Sequence, residues 1–514
     1  MQSPISGSLP ATSNKTHAGD YLLSGVLVML AVNVLQRGVG LLRGLGVCQL
    51  LSEEQLGHWS LTNSLFVIGA PIAVLGLPGC FTKFTEYFRN RAQLGDFLLH
   101  TLRLSALGVL LTVGLVGFFP SQFSQAVFGE TLLARQLLWV VCALVATILF
   151  NTTFELVASL RHVRVASSMQ FVHSLTFTVV GLGSLWLDGQ WERLLPSYCF
   201  ACLLGMIPGL WAVRWQHSHE LRPSGSLSVT QMLGRVAGFA VALWVMNLLS
   251  NLFEVSDRYM LLHLTSGGPK AGQAAVGQYH CCRIVPNLWV SLGLTLSGIL
   301  LPYLSADWER GALTQVSDRV RQTLQSTIIG LTVCSIVALI FAPLLFDGVY
   351  QGRYEAAREI LPISLVQAIW VACFLVSETY LMCAERVKQL ALLLLFGLVL
   401  NLVLNYFLIQ QMGLPGAVIA TCLANLACLL FLYRKIATLQ RQHRARTLGR
   451  GTWLLTLLPV GLMLGPIVAT LVLAVFVIIC GRTEVIMTSA DRKRMDELIL
   501  PKLTQFGIKI PSIW

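Results

Sequence analysis

Apolar runs of membrane-spanning length follow one another along almost the whole chain, separated by short polar connections. They lie near 22–46, 57–79, 97–119, 132–159, 165–187 and 194–215. After the polar stretch QHSHELRPSGSLSVTQ a second set lies near 234–264, 274–304, 322–346, 357–382, 389–410 and 414–433. At about 1.5 Å per residue, each covers a hydrocarbon core of about 30 Å. The pattern predicts an all-α integral membrane protein. Residues 453–480 are also apolar but are interrupted by Gly465-Pro466. One pass there would carry the basic tail to the far side; two passes of roughly 14 residues would reach only about 21 Å each. Thirteen and fourteen crossings both stay open, with two short passes preferred.

Composition agrees with this pattern. The chain has 514 residues, 12% of them charged, and a mean hydropathy of +0.71. The first 20 residues are polar and are expected to be disordered, and the run after them is too long for a cleaved signal, so it is kept as the first helix. The 13 cysteines are dispersed among apolar runs. They suggest neither a zinc site nor a disulfide framework, and no cofactor is called for.

A net charge of +12 raises the thought of nucleic acid, but the basic residues sit in the connections. With the N-terminus inside, twenty Lys and Arg fall on the inner side, among them Lys83, Arg89, Arg161 and Arg386; five fall outside, among them Arg135 and Arg193. That bias predicts a cytoplasmic N-terminus. Trp186 and Trp191 at one interface, and Trp211 and Trp215 at the other, fit aromatic belts.

The chain also repeats itself. Leu56-Gly57-His58-Trp59 has a counterpart in Val276-Gly277-Gln278-Tyr279, an offset of 277 − 57 = 220. Gly129, Ala134, Arg135, Leu138 and Glu155 fall on Gly352, Ala357, Arg358, Leu361 and Glu378 at an offset of 223. Six crossings is an even number, so both halves start on the same side and form parallel repeats about an axis along the membrane normal.

Three stretches then carry a family likeness: LLRGLGVCQLLSEEQLGHWSL at 41–61, IGAPIAVLGLPGCFTKF at 68–84, and LNLVLNYFLIQQMGLPGAVIATCLANL at 400–426. Over residues 20–435 the chain resembles the polysaccharide (O-antigen and exopolysaccharide) flippases of the multidrug/oligosaccharidyl-lipid/polysaccharide exporter superfamily. The resemblance implies 12–14 transmembrane helices in two six-helix lobes. It also implies transfer of an undecaprenyl-diphosphate-linked oligosaccharide across the bacterial inner membrane by alternating access. The expected organisation is a tail at 1–20, an N-lobe at 21–215, a cytoplasmic linker at 216–233, a C-lobe at 234–433, a basic segment at 434–451, extra passes at 452–480, and a tail at 481–514. Expected partners are the lipid-linked oligosaccharide, membrane lipids, a polysaccharide polymerase with its chain-length machinery, and a coupling proton or sodium ion.

Such a substrate needs cations for its diphosphate, and the planar arginine fork suits phosphate. The candidates are Arg37 and Arg43 in the first span, Arg258 in the seventh and Arg283 in the eighth. A charge near mid-bilayer costs about 3 kcal/mol on insertion scales. Arg37 is about 20 Å along its helix, too deep for easy snorkelling. Arg43 is nearer the outer end and could reach headgroups; Gly40-x-x-x-Gly44 offers close helix packing as the plainer use of this segment. Glu254, Asp257 and Arg258 share one helical face, either as an internal Glu254–Arg258 ion pair or as a site where substrate or a coupling cation competes. Arg283 is an alternative partner for Asp257. Asn247 and Asn251 share the face of Glu254 and are candidates for the same cavity. Glu155 and Glu378 are matched acids, read either as a gating or protonation pair or as interfacial partners of Arg161 and Arg386. His173 is expected to be structural.

An enzyme is the competing class, such as a glycan polymerase, but no large extramembrane loop, nucleotide loop, metal set or nucleophile constellation is evident. Within transport, a cation-coupled multidrug exporter would favour acids in its cavity. A flippase for a peptidoglycan lipid precursor is closer still, because both substrates carry a polyprenyl diphosphate.

Overall fold

The computed structural model describes residues 35–217, 221–442 and 449–482. The expected N-terminal tail and the greater part of the C-terminal tail lie outside these residues. Among the described residues there are helices and no strands. In order they are α1 (35–50), α2 (Glu53–Val74), α3 (Phe81–Arg89), α4 (Leu94–Phe118), α5 (Pro120–Phe128), α6 (Ala134–Ser159), α7 (Val163–Asp188) and α8 (Leu194–His217). Then come α9 (Val229–Leu264), α10 (Pro269–Arg283), α11 (Pro286–Glu309), α12 (Leu313–Pro343), α13 (Glu355–Cys383), α14 (Val387–Met412), α15 (Leu414–Gln442), α16 (Gly449–Leu455) and α17 (Pro466–Arg482). Ten described helices are long and apolar enough to cross a bilayer, or eleven if α2 and α3, bent by 73°, count as one span. The chain is a multi-pass membrane protein.

Two expected spans differ in detail. The run near 57–79 ends at Leu75, whose φ is +50°, followed by Gly76 at +67°. A Cβ on Gly76 would stand 2.8 Å from Trp244 Cβ, so both the turn and the packing require glycine. The run near 274–304 is two helices, α10 and α11, divided at Ile284–Val285 ahead of Pro286. Proline cannot supply the N–H that would continue α10, so it opens a new helix instead. Near the C-terminus, two shorter apolar segments, Gly451–Leu464 and Pro466–Ile479, meet at Gly465, where φ is +97°.

The repeat is visible in the packing. In α2, Gly57 lies so close to α10 that a Cβ would fall 2.0 Å from the Gln273 carbonyl oxygen; one on Gly277 would fall 2.0 Å from that of Glu53. Because 53 + 220 = 273 and 57 + 220 = 277, each contact is the image of the other, as in a two-fold interface. Among the ten helices that are each long and apolar enough to cross a bilayer, the most buried of each half is the same repeat member, α6 in the first and α13 in the second.

Helix α9 is shared between the halves. Its first part (Met232, Val236, Ala240) packs into a core with Phe81, Phe84, Phe88 and Phe97 of α3 and α4. Farther along, it also mends α2. Pro71 has no N–H, so the Val67 carbonyl four residues before it loses its helical partner. Asn251 Nδ2 donates to that oxygen at 3.0 Å. At the end of α2 the Leu75 N–H bonds Ile72 and leaves the Pro71 carbonyl free; Trp244 Nε1 donates to it at 3.0 Å. This explains why a long apolar helix carries these two polar side chains.

Candidate functional site

Two cavities meet where α1 faces the second half of the chain. The first, about 450 Å³, is lined by Arg37 and Arg43 of α1, Asn63 of α2, His173 of α7, His280 of α10 and Asn287 of α11. The second, about 520 Å³, lies within the second half and is lined by Glu254, Arg283, Asn287, Gln367, Glu378 and Thr421, among others. Asn287 borders both. A third cavity, about 360 Å³ in the first half, is lined by Glu155 with Asn151, Gln170 and Asn247.

Arg37 donates to Thr295 Oγ1 of α11 at 2.7 Å, bridging the halves. Arg43 donates weakly to Ser174 Oγ and its carbonyl, both at 3.3 Å, and its guanidinium stands 5.0 Å from the centre of the Phe177 ring. Arg283 donates to the Tyr279 hydroxyl at 2.8 Å. None of these three arginines forms an ion pair among the described residues. Arg258 differs from them: it lines neither cavity, is buried, and donates to Ser64 Oγ of α2 at 3.0 Å.

The expected Glu254–Arg258 pair does not form, since Arg258 turns to Ser64 and Glu254 turns to the second cavity. Asn247, Asn251 and Glu254 do not share one cavity. Asn247 faces the first half, Asn251 bonds the Val67 carbonyl inside α2, and only Glu254 reaches the second cavity. Glu155 and Glu378 each face the cavity of their own half, in keeping with the repeat. Arg161 lies nearest Glu86, at 3.6 Å, and not Glu155. His173 sits among aromatic rings, 4.8 Å from Phe150 and 5.3 Å from Tyr198.

Asp257 is fully buried. Its Oδ2 accepts from the Tyr279 hydroxyl and from Thr421 Oγ1, each at 2.7 Å, and its Oδ1 accepts from Asn405 Nδ2 at 2.7 Å. Asn401 extends the cluster: its Oδ1 accepts from Ser256 and Asn405, and its amide donates to Thr421. Arg283 therefore meets Asp257 through Tyr279 and not directly. The sequence contained the signal for this network: Asn401 and Asn405 are one turn apart in an otherwise apolar span, with Thr421 in the next. Tyr279 carried none, being one aromatic among many.

Cys199 and Cys202 have the C-x-x-C spacing, yet no group of three His, Cys, Asp or Glu able to hold a metal occurs among the described residues.

A model of the polysaccharide biosynthesis protein family matches residues 22–308, more than half of the chain. The chain belongs to that family. A second model, of the lipid II flippase MurJ, matches residues 279–490. The lipid II flippase MurJ of Bacillus subtilis (strain 168) is 23% identical over 407 residues, covering 70% of this chain and 72% of that protein. Among solved structures, a lipid II flippase MurJ in an inward closed conformation superposes with a TM-score of 0.67 at 12% identity, over 89% of this chain and 99% of that one. An inward-facing multidrug resistance MATE family transporter of the MOP superfamily gives 0.63 at 10% identity, over 81% and 99%. The fold is the one that these solved structures share.

Proposed function

We propose that the chain flips an undecaprenyl-diphosphate-linked oligosaccharide across the bacterial inner membrane by alternating access, with its N-terminus in the cytoplasm. The observation that carries this reading is the set of three arginines, Arg37, Arg43 and Arg283. They lack carboxylate partners among the described residues and line two cavities that meet at Asn287. Guanidinium groups that line cavities of a membrane protein without a direct ion-pair partner suit a mobile anion such as a diphosphate. Units delivered to the outer face would be consumed by a polymerase and its chain-length machinery.

Coupling belongs to Asp257. Its carboxylate is buried and its hydrogen-bond donors are all neutral, an arrangement that suits a coupling cation. Asn405 Oδ1 is buried beside it without a hydrogen-bond partner. Thr421 Oγ1 reaches both Asp257 and the Ala417 carbonyl with its one proton, so it can turn that proton to the carbonyl and offer its oxygen to an ion.

The second reading, a flippase for a peptidoglycan lipid precursor, is favoured by the match of residues 279–490 to the lipid II flippase model. The test uses proteoliposomes carrying fluorescent undecaprenyl-diphosphate oligosaccharide, fluorescent lipid II, or a cationic dye. Movement of the oligosaccharide lipid, reduced about 10- to 100-fold in Arg37→Ala, supports the proposal. Movement of lipid II alone supports the second reading. Movement of dye alone overturns both in favour of a multidrug exporter.

A further inference from the structure

We propose that the Tyr279 hydroxyl couples diphosphate binding in the second cavity to occupancy of Asp257. The inference rests on the flippase reading above and deepens it. The geometry is a chain of two bonds. Arg283, whose guanidinium borders the cavity, donates to the Tyr279 oxygen at 2.8 Å, and the same oxygen donates its proton to Asp257 Oδ2 at 2.7 Å. Tyr279 is itself sealed from solvent, so its hydroxyl has no water to turn to. Arg283 has a further nitrogen, Nε, that is buried with no partner.

The two bonds reinforce each other. A hydroxyl that accepts from a guanidinium becomes a better donor, so Arg283 strengthens the hold of Tyr279 on the carboxylate. A diphosphate entering the cavity is a stronger acceptor than a neutral phenol and draws the guanidinium to itself. Tyr279 then loses its donor, and its bond to Asp257 weakens. The carboxylate loses part of what stabilised its charge, and a proton or cation on Asp257 becomes more favourable. Linkage requires the reverse as well: a cation on Asp257 loosens Tyr279, frees Arg283, and strengthens diphosphate binding. The two ligands bind with positive cooperativity.

Other charged groups nearby have their own partners or faces. Arg258 is held by Ser64, His280 Nδ1 is paired with Ser60 Oγ at 3.2 Å, and Glu254 faces the cavity beside Arg283. None of these bonds bridges the cavity to Asp257. Tyr279 is thus a positioning residue, touching neither phosphate nor membrane.

The test measures binding of fluorescent undecaprenyl diphosphate to the full-length protein in nanodiscs. Sodium is titrated against choline at fixed pH in one arm, and pH is titrated at fixed sodium in the other. The wild-type protein is expected to bind the lipid about 5- to 100-fold more tightly when the coupling ion is saturating. Tyr279→Phe keeps the ring and removes the hydroxyl. It should bring that ratio to about threefold or less, while affinity without the ion rises, because Arg283 is released. A structural defect would lower affinity in every condition and leave the ratio unchanged. Should Tyr279→Phe fail to fold, Arg283→Lys, which keeps the charge and shortens the reach to the hydroxyl, is expected to give the same drop in ratio. A wild-type ratio of one in both arms, or an unchanged ratio in a folded variant, overturns the proposal. No binding of the lipid by the wild type under any condition overturns the flippase reading beneath it.

Discussion

Gly57 and Gly277, 220 positions apart in the chain, face each other where α2 crosses α10 with backbone against backbone. Each is without a side chain for the same reason: the partner helix places a carbonyl oxygen where its Cβ would be, that of Gln273 for Gly57 and that of Glu53 for Gly277. The crossing brings the two halves together at the end that the charge bias places outside. A contact built from backbone carries no interlocking side chains, so it can part and re-form as a unit. Under the proposed flippase function, that suits a seal which opens once per transport cycle.

Gly57→Ala and Gly277→Ala should each wedge this seal apart. Overpacking at such a contact costs about 1–3 kcal/mol, and more where backbone must move. The thermal midpoint should fall, and the buried thiols Cys48 and Cys281 should become reactive toward a small maleimide. Gly183→Ala serves as the control, because nothing lies within 4 Å of a Cβ there. Equal behaviour of all three variants would show that the crossing is not a tight seal.

The legibility of the sequence followed what each residue responds to. The succession of apolar helices and the glycine match at offset 220 were readable because bilayer thickness and helix crossing act directly on composition. The arginines of α1 were readable because a charge in an apolar run is costly. The pairings were not readable. Glu254 and Arg258 sit at the spacing of an ion pair, yet Arg258 reaches across to Ser64. The sequence cannot say that another helix passes close enough to compete. Asn251 was assigned to a cavity because it shares a face with Glu254. Its partner is the Val67 carbonyl that Pro71 orphans, 184 residues earlier (251 − 67 = 184), and only the packed structure places the two together.

Asn251 and Trp244 therefore act on stability. Asn251→Ala and Trp244→Phe each remove the side-chain donor to a carbonyl of α2, at a cost of about 0.5–1.5 kcal/mol. The thermal midpoint should drop in both, and the affinity for a polyprenyl diphosphate should stay within about twofold. A large loss of affinity at unchanged stability in Asn251→Ala would restore that residue to the cavity.

Outside the spans, His162 in the α6–α7 turn faces His217 at the end of α8, with their Nε2 atoms 2.8 Å apart. Burial, then the charges of His217 and Arg89, hold the His162 pKa below its ordinary 6.5. The unfolded chain therefore binds this proton more readily than the folded one. The stabilising contribution is present above pH 6.5 and is lost as the pH falls below it. Thermal midpoints measured from neutral to acidic pH should decline, and His162→Gln should flatten part of that decline. An identical slope in wild type and variant would remove His162 from the account.

Asp96 fixes the segment that joins the halves. It stands in the first turn of α4, where a negative charge is favoured by the helix dipole. It accepts from the backbone N–H groups of Gly225, Ser226 and Leu227 at 2.9, 3.0 and 3.3 Å, and from Ser224 Oγ at 2.7 Å. Gly95 beside it is pressed so close to the Arg222 carbonyl that a Cβ would lie 2.4 Å away. The connection is therefore tied to the first half up to Leu227, and Ser228 then caps α9. Asp96→Ala removes one carboxylate and leaves three backbone donors without their acceptor, a loss of roughly 2–4 kcal/mol. Asp96→Asn keeps the shape and one acceptor oxygen and should lose less. Limited proteolysis should then cut the 221–228 segment in the alanine variant first, while wild type resists. Resistance in the alanine variant equal to wild type would mean that the segment is held by packing against Gly95 alone.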